Sequence, residues 1–393
     1  MKDILFMIGS LSAGGAEKSL VSLLNTLPSD KYSIDLILSK KEGLFYPLLP
    51  DNINVIEAPF PYSCLTRSPK DFQYYLNHGI LFWIKKIYRL YKSKRNIKEY
   101  ALQQSLWKYW RDDIPIYEKK YDIAISFLEG FPNYYIIDKV NANKKFLWIH
   151  SEYRKLKYNS SFDYSYFSKA DKIITISSIC KESLLTFFPD LKNKFDVIEN
   201  ISNPDLIRKM SLEKVTDISI DEKKFKILSV GRLVPVKAFD LALKSAYLLK
   251  KRNVNFVWYI IGDGILKKEL QKMIQDLELT NNVYLLGLKI NPYKYMNLAD
   301  IIVQSSKYEG KSIAIDEAKI LYKPIVSTNY TTVYDVIKNN ETGIITDMTP
   351  EALSNGIYKL YENLELRSYI SENIKNEENN NNLEINKYID LIS

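Results

Sequence analysis

Cysteine is nearly missing. Two, Cys64 and Cys180, in 393 residues make neither a disulfide framework nor a cysteine metal site. No long uncharged apolar span of the length a membrane helix needs occurs anywhere. Met1-Lys2-Asp3 leads straight into an apolar run, with no cleavable leader pattern, so the expectation is a cytoplasmic chain or one lying on the cytoplasmic face of a membrane. No Asp-x-Asp is present, a carboxylate pair commonly used to hold a diphosphate through a divalent metal. The glycine loop near residue 14 lacks Gly-x-Gly-x-x-Gly spacing, and Gly310-Lys311-Ser312 is not the end of a P-loop, because Ser305 stands where that motif needs glycine. A recognisable nucleic-acid module is also missing, and nucleic acid is not an expected partner.

What is present is alternation. Apolar strand-like runs recur at 4–8, 34–38, 53–57, 121–127, 145–149, 171–176 and 195–199, then at 225–230, 255–261, 283–286, 301–305, 324–327 and 343–346, with helical patterns between them. Such alternation indicates parallel, doubly wound sheets. The length exceeds what one core usually serves, so two domains are expected. Residues 1–202 form the first, the polar stretch 203–224 a linker, and 225–375 the second, with a final helix at 383–392.

Five short segments carry candidate chemistry. Glu309-Gly310-Lys311-Ser312-Ile313-Ala314-Ile315-Asp316-Glu317 follows an apolar strand and enters a helix, setting two carboxylates eight residues apart. A helix starting near Ser312 aims its free N–H groups and positive end at the turn, which suits a phosphate. Glu309 and Glu317 can accept hydrogen bonds from ligand hydroxyls, although helix capping alone also explains Glu and Ser at such a place. Gly231 ends the strand at 225–230, and Arg232 and Lys237 follow it. A planar fork and a mobile ammonium suit different oxygens of a diphosphate, though solvated surface charges have the same look. Near the start, Gly14-Gly15-Ala16-Glu17 is a small-residue loop entering a helix. His150 ends the strand at 145–149, and Glu129 ends the one at 121–127, at the carboxyl ends where such sheets build sites. His78, among tyrosines, has no expected role.

Residues 308–329 (YEGKSIAIDEAKILYKPIVSTN), with Gly231-Arg232-Leu233-Val234-Pro235-Val236-Lys237, Gly14-Gly15-Ala16-Glu17 and Trp148-Ile149-His150, resemble the retaining group 1 (GT4-type) glycosyltransferases of capsule and O-antigen synthesis. The resemblance implies the GT-B fold: two Rossmann-like α/β domains, each a doubly wound parallel sheet, facing a central cleft, with a C-terminal crossover segment at about 376–393 returning to the N-terminal domain. It implies a nucleotide-sugar donor, most simply a UDP-sugar, and transfer without metal or other cofactor. Arg232 and Lys237 would hold the diphosphate, Gly310, Lys311 and Ser312 the donor, Glu309 the donor sugar and Glu317 the ribose. His150 would lie near the sugar, with Gly14, Gly15 and Glu129 on the acceptor side. One departure stands out: Ala238 replaces the usual glycine after Lys237.

Residues 80–111 read differently. Phe82, Trp83, Ile84, Ile87, Leu90 and Tyr91 alternate with Lys85, Lys86, Arg89, Lys92, Lys94, Arg95 and Lys98, giving a helix with apolar-aromatic and basic faces. Such a helix suits the surface of an anionic membrane, or packs on its own domain with its charges in water. A net charge of +8 favours an anionic partner surface, and the lipid-linked oligosaccharide acceptors of this family fit that reading. Other readings are a UDP-sugar epimerase of the same fold, a non-catalytic nucleotide-sugar-binding partner protein and a membrane-surface interaction protein.

Overall fold

The computed structural model describes residues 1–12, 14–66, 80–95, 101–309, 312–377 and 381–393. The chain divides into two compact units, Met1–Ile201 with Leu383–Ser393, and Ser202–Asn382. Among the described residues the first unit holds a seven-stranded sheet in the order β3-β2-β1-β4-β5-β6-β7. Its strands are β1 (Lys2–Ile8), β2 (Tyr32–Leu38), β3 (Asn54–Glu57), β4 (Tyr117–Ser126), β5 (Val140–Ile149), β6 (Lys172–Thr175) and β7 (Phe195–Val197). The second unit holds a six-stranded sheet, β10-β9-β8-β11-β12-β13. It is built from β8 (Phe225–Val230), β9 (Phe256–Ile261), β10 (Val283–Gly287), β11 (Ile301–Gln304), β12 (Ile325–Thr328) and β13 (Ile344–Thr346). All pairings within both sheets are parallel. Helices therefore cover both faces, which is why the inner strands read as unbroken apolar runs: Ile4 to Ile8 and Phe256 to Ile261 are all buried.

Each sheet reverses its strand order once, between β1 and β4 in the first and between β8 and β11 in the second. At such a switch point the loops leaving the two strands diverge, and the space outside their carboxyl ends is open to a ligand. The loop after β1 carries Gly14 and that after β4 carries Glu129; the loop after β8 carries Arg232 and Lys237 and that after β11 carries Glu309. This is the two-domain α/β architecture of the GT-B fold.

Three expectations need correction. The stretch 203–224 is not simply a linker: Pro204–Ser211 is a helix of the second unit, packed on the helices Tyr293–Leu298 and Ile313–Ile320. Asn203 caps it, its side chain accepting from the Leu206 N–H at 2.9 Å, and Pro204 sits in its first turn, the usual start signals. The second unit also continues past 375, to Asn382. Residues 80–111 are not one helix but two, Ile80–Arg95 and Leu102–Trp110. The second of these is a core element, because Trp107 and Trp110 are fully buried and the Trp107 indole donates to Asp138 at 3.0 Å. His78, Lys98 and the rest of 67–79 and 96–100 lie outside the described residues.

The C-terminal helix Asn381–Ile392 belongs to the first unit from Leu383 onward, and there Tyr388 stacks on Trp148 with ring centres 5.7 Å apart and planes 7° from parallel. Its Glu384 carboxylate accepts the Glu199 N–H at 3.0 Å. The aromatic stack continues through Phe127 to the His150 ring, 5.2 Å away, so the chain's last helix braces the strand end that presents that histidine.

Candidate active site

In the second unit, β8 runs directly into Gly231. The loops after β8 and β9 meet backbone to backbone: Leu233 N–H donates to the Asp263 carbonyl at 2.9 Å and Leu266 N–H to the Leu233 carbonyl at 3.0 Å. A Cβ on Gly262 would lie 1.9 Å from the Gly231 oxygen, and one on Gly264 would lie 2.4 Å from the Leu233 oxygen. Gly262-Asp263-Gly264 is thus what lets the Arg232 loop take its shape. Sequence reasoning passed over it, although a Gly-x-Gly pair closing a buried strand was the available signal. Ala238 adopts the left-handed conformation, φ 48° and ψ 46°, and caps the helix Phe239–Lys251. The geometry usually given to glycine is kept here, at the expense of local strain.

Lys237 and Glu309 form an ion pair across the β8/β11 switch, Nζ to Oε1 2.5 Å, with both side chains largely buried. The same oxygen accepts from the Gln304 amide at 2.8 Å and the Ser306 hydroxyl at 2.6 Å. The loops are laced together by Lys307 N–H to the Val236 carbonyl and Ser305 Oγ to the Lys237 carbonyl, both 2.8 Å. Arg232 is exposed, and among the described residues no side chain pairs with it. Ser312 stands at the N-cap position of the helix Ile313–Ile320 but makes no side-chain cap bond, and among the described residues its buried hydroxyl has no hydrogen-bond partner. Among the described residues that helix start therefore has no side-chain cap on its first N–H groups, the disposition that favours an anion. Glu317, 1% exposed, is buried in the same helix and accepts the Tyr293 hydroxyl at 3.0 Å. Burial, then the Glu317 charge, holds the Tyr293 phenol well above the ordinary range, so it stays a donor. Gly310 and Lys311 lie outside the described residues.

In the first unit, Gly14 precedes the helix Gly15–Thr26 in extended backbone, and a Cβ there would collide with the Glu17 carboxylate at 2.0 Å. The acid folds back onto the helix start. Glu129 is a clamp: one oxygen accepts the His150 N–H at 2.9 Å and the other the Ser151 hydroxyl at 2.5 Å. No hydrogen bond of ordinary geometry reaches either ring nitrogen of His150, and burial pushes its imidazole down to about 4, against the pull of Glu129. It is neutral at physiological pH. After Glu129, Gly130 has φ +86°, where a Cβ would run into Gln103. Behind this loop Asp163, 1% exposed, accepts from Tyr153 at 2.6 Å, Tyr134 at 2.7 Å and Gln104 at 2.9 Å. Burial raises its carboxyl to about 6 in spite of those donors. Lone Asp and Gln residues on helices gave no sequence signal for this cluster.

Arg232, Lys237, Glu309, Ser312 and Glu317 are thus gathered at the carboxyl edge of one sheet, and Gly14, Glu129 and His150 at that of the other. Residues 212–377, most of the second unit, match the family described as glycosyl transferases group 1. The chain is 33% identical over 203 residues to an uncharacterized glycosyltransferase of Methanocaldococcus jannaschii, covering 49% of this chain and 50% of that one. It is 27% identical over 380 residues, 93% of this chain and 92% of the other, to the Campylobacter jejuni N-acetylgalactosamine-N,N'-diacetylbacillosaminyl-diphospho-undecaprenol 4-alpha-N-acetylgalactosaminyltransferase. The crystal structure of Anabaena HepE in complex with UDP-glucose matches the fold with a TM-score of 0.66 at 16% identity, over 100% of this chain and 99% of that one. The second unit thus carries the match to the group 1 glycosyl transferases, the chain is similar over nearly all of its length to a glycosyltransferase, and its fold is that of solved GT-B glycosyltransferases.

Proposed function

We propose that the chain is a retaining glycosyltransferase that moves a sugar from a nucleoside diphosphate sugar, with UDP as the nucleotide, onto a lipid-linked oligosaccharide in bacterial surface polysaccharide synthesis. The observation that carries this reading is the grouping at the β8/β11 switch: the unpaired Arg232, the Lys237–Glu309 pair and the uncapped start of the helix at Ser312. During transfer the bond from the sugar's anomeric carbon to the diphosphate breaks while one to the acceptor hydroxyl forms on the same face. The hydroxyl proton passes to a phosphate oxygen. Arg232, Lys237 and the helix N-terminus stabilise the charge gathering on the leaving group, so no metal is needed. Glu309 orients the sugar, Glu317 the ribose, and neutral His150 offers a hydrogen bond rather than a charge.

The name of the C. jejuni relative, with its alpha linkage and its diphospho-undecaprenol, supports both the stereochemistry and the acceptor class. The helix Ile80–Arg95 supports a membrane-bound acceptor. Phe82, Trp83 and Leu90 pack on the core, while Ile80, Leu81, Ile84, Ile87 and Tyr88 are 41–71% exposed on the other side beside Lys85 and Lys92. An apolar stripe rimmed by cations suits an anionic bilayer surface. Among the described residues no helix is long and apolar enough to cross one.

A thermal-shift panel of UDP-, GDP- and dTDP-sugars in EDTA, on wild type and Arg232→Ala, tests the donor site. Stabilisation by the UDP class without metal, lost in the variant, is expected. A panel with no shift at all, or shifts that need a divalent ion, would overturn it.

A further inference from the structure

The end of β11 holds two side chains that the donor site, as described, does not use. Gln304 is the last residue of an otherwise apolar strand and is 4% exposed, and Ser306 is fully buried. A buried amide is unfavourable unless its hydrogen bonds are made, and the Gln304 Nε2 spends both on the same target: Glu309 Oε1 directly at 2.8 Å, and the Ser306 hydroxyl at 2.6 Å, which passes its own proton to that oxygen at 2.6 Å. Ser306 is fixed in turn, since its carbonyl accepts from the Thr328 hydroxyl at 2.6 Å. The backbone oxygen of Glu309 accepts from Thr332 at 2.8 Å. One carboxylate oxygen thus takes three donors, and among the described residues none goes to the other.

Two of the three donors are neutral, and that difference matters once a diphosphate is present. Among the described residues Lys237 is the cation paired with Glu309, and a diphosphate with its larger charge competes for it. A carboxylate held by Lys237 alone would then be loosened and repelled by the phosphates beside it. A second cation would hold it but would also bind the leaving diphosphate and slow its release.

We infer that Gln304 and Ser306 are positioning residues: an uncharged clamp that keeps Glu309 fixed, with its second oxygen directed to the donor sugar, when Lys237 turns to the diphosphate. The inference rests on the donor site proposed above. It assigns a role to a glutamine that an apolar residue would replace if strand packing were all the position required.

The test compares wild type with Gln304→Met, which keeps the volume and removes the donors, with Ser306→Ala in case the first variant folds poorly, and with Gln304→Glu. For each, kcat and KM are measured with whichever UDP-, GDP- or dTDP-sugar wild type turns over fastest, and the Kd of the matching free nucleoside diphosphate is measured by calorimetry. Loss of the clamp should lower kcat roughly ten- to hundred-fold and leave the diphosphate Kd within about two-fold, since the diphosphate carries no sugar for Glu309 to orient. In Gln304→Glu two carboxyl groups share one site, so activity should survive only where the new group keeps its proton and should fall as pH rises, relative to wild type. Unchanged kcat in both Gln304→Met and Ser306→Ala, or a diphosphate Kd that worsens in step with kcat, would overturn the clamp while the donor site stood. Wild type that turns over no nucleotide sugar would overturn the donor site and the clamp with it.

Discussion

Ala238 shows how a single residue can keep a loop and pay for it locally. Its left-handed backbone costs an alanine about 1 kcal/mol relative to glycine, yet its methyl is completely buried and contributes a comparable amount, about 0.8 kcal/mol. Ala238→Gly should therefore leave stability within about 1 kcal/mol of wild type by denaturant titration and leave donor binding unchanged. His150 and Asp163 make opposing contributions to pH dependence. His150 is depressed to about 4, so the unfolded chain takes up a proton first as pH falls below about 6.5, and folding weakens toward pH 4 with a slope of up to about 1.4 kcal/mol per pH unit. Asp163 is raised to about 6, so its contribution is present below the unfolded carboxyl value near 4 and is lost as pH rises through 6. In wild type the two slopes offset each other between pH 4 and 6. His150→Gln removes the first, and its stability should decline from pH 4 to 6 relative to wild type; a parallel pair of curves would contradict the neutral, buried imidazole.

At the scale of elements, legibility in the sequence followed the kind of force that fixes each piece. The parallel strands are buried on both faces, so continuous apolar runs such as Ile4 to Ile8 and Phe256 to Ile261 marked them directly. Loop residues with unusual chemistry, Arg232, Lys237 and Glu309, were visible because charges beside glycine at strand ends have few structural uses. Three things were hidden. The helix Pro204–Ser211 was obscured by the polar residues after it, although Asn203-Pro204 announced it; Asn203→Ala should cost about 1 kcal/mol. The break between Ile80–Arg95 and Leu102–Trp110 did not show because aromatic residues run through both pieces, and only packing tells that the second is a core element while the first keeps an exposed apolar face. Gln304 was passed over within the apolar run 301–305, since nothing local says that an amide's partner lies five residues on. The exposed stripe of the first helix makes its own prediction: Leu81→Asp with Ile84→Asp should abolish co-sedimentation with phosphatidylglycerol vesicles and leave the melting temperature within about 2 °C, because neither side chain is buried. Retained vesicle binding would remove the membrane from the account.

For the molecule as a whole, the two units divide the chemistry. In the proposed reaction the second carries the cations and carboxylates for the nucleotide sugar, and the first carries the neutral histidine, together with the glycine loop and the apolar helix face for the acceptor. The C-terminal helix ties the end of the chain to the first unit through the Tyr388–Trp148 stack, and Tyr388→Ala should cost about 3 kcal/mol or more and lower the melting temperature of that unit. The proposed transfer from a nucleoside diphosphate sugar, directed by Glu309, is examined by incubating the protein in EDTA with UDP-sugars and a polyprenyl-diphosphate-linked oligosaccharide, measuring UDP release and the anomeric configuration of the product by NMR, for wild type and Glu309→Gln. UDP release with an alpha-linked product, slowed at least about a hundred-fold in the variant, is expected. A beta-linked product, or equal rates for the two proteins, would contradict it.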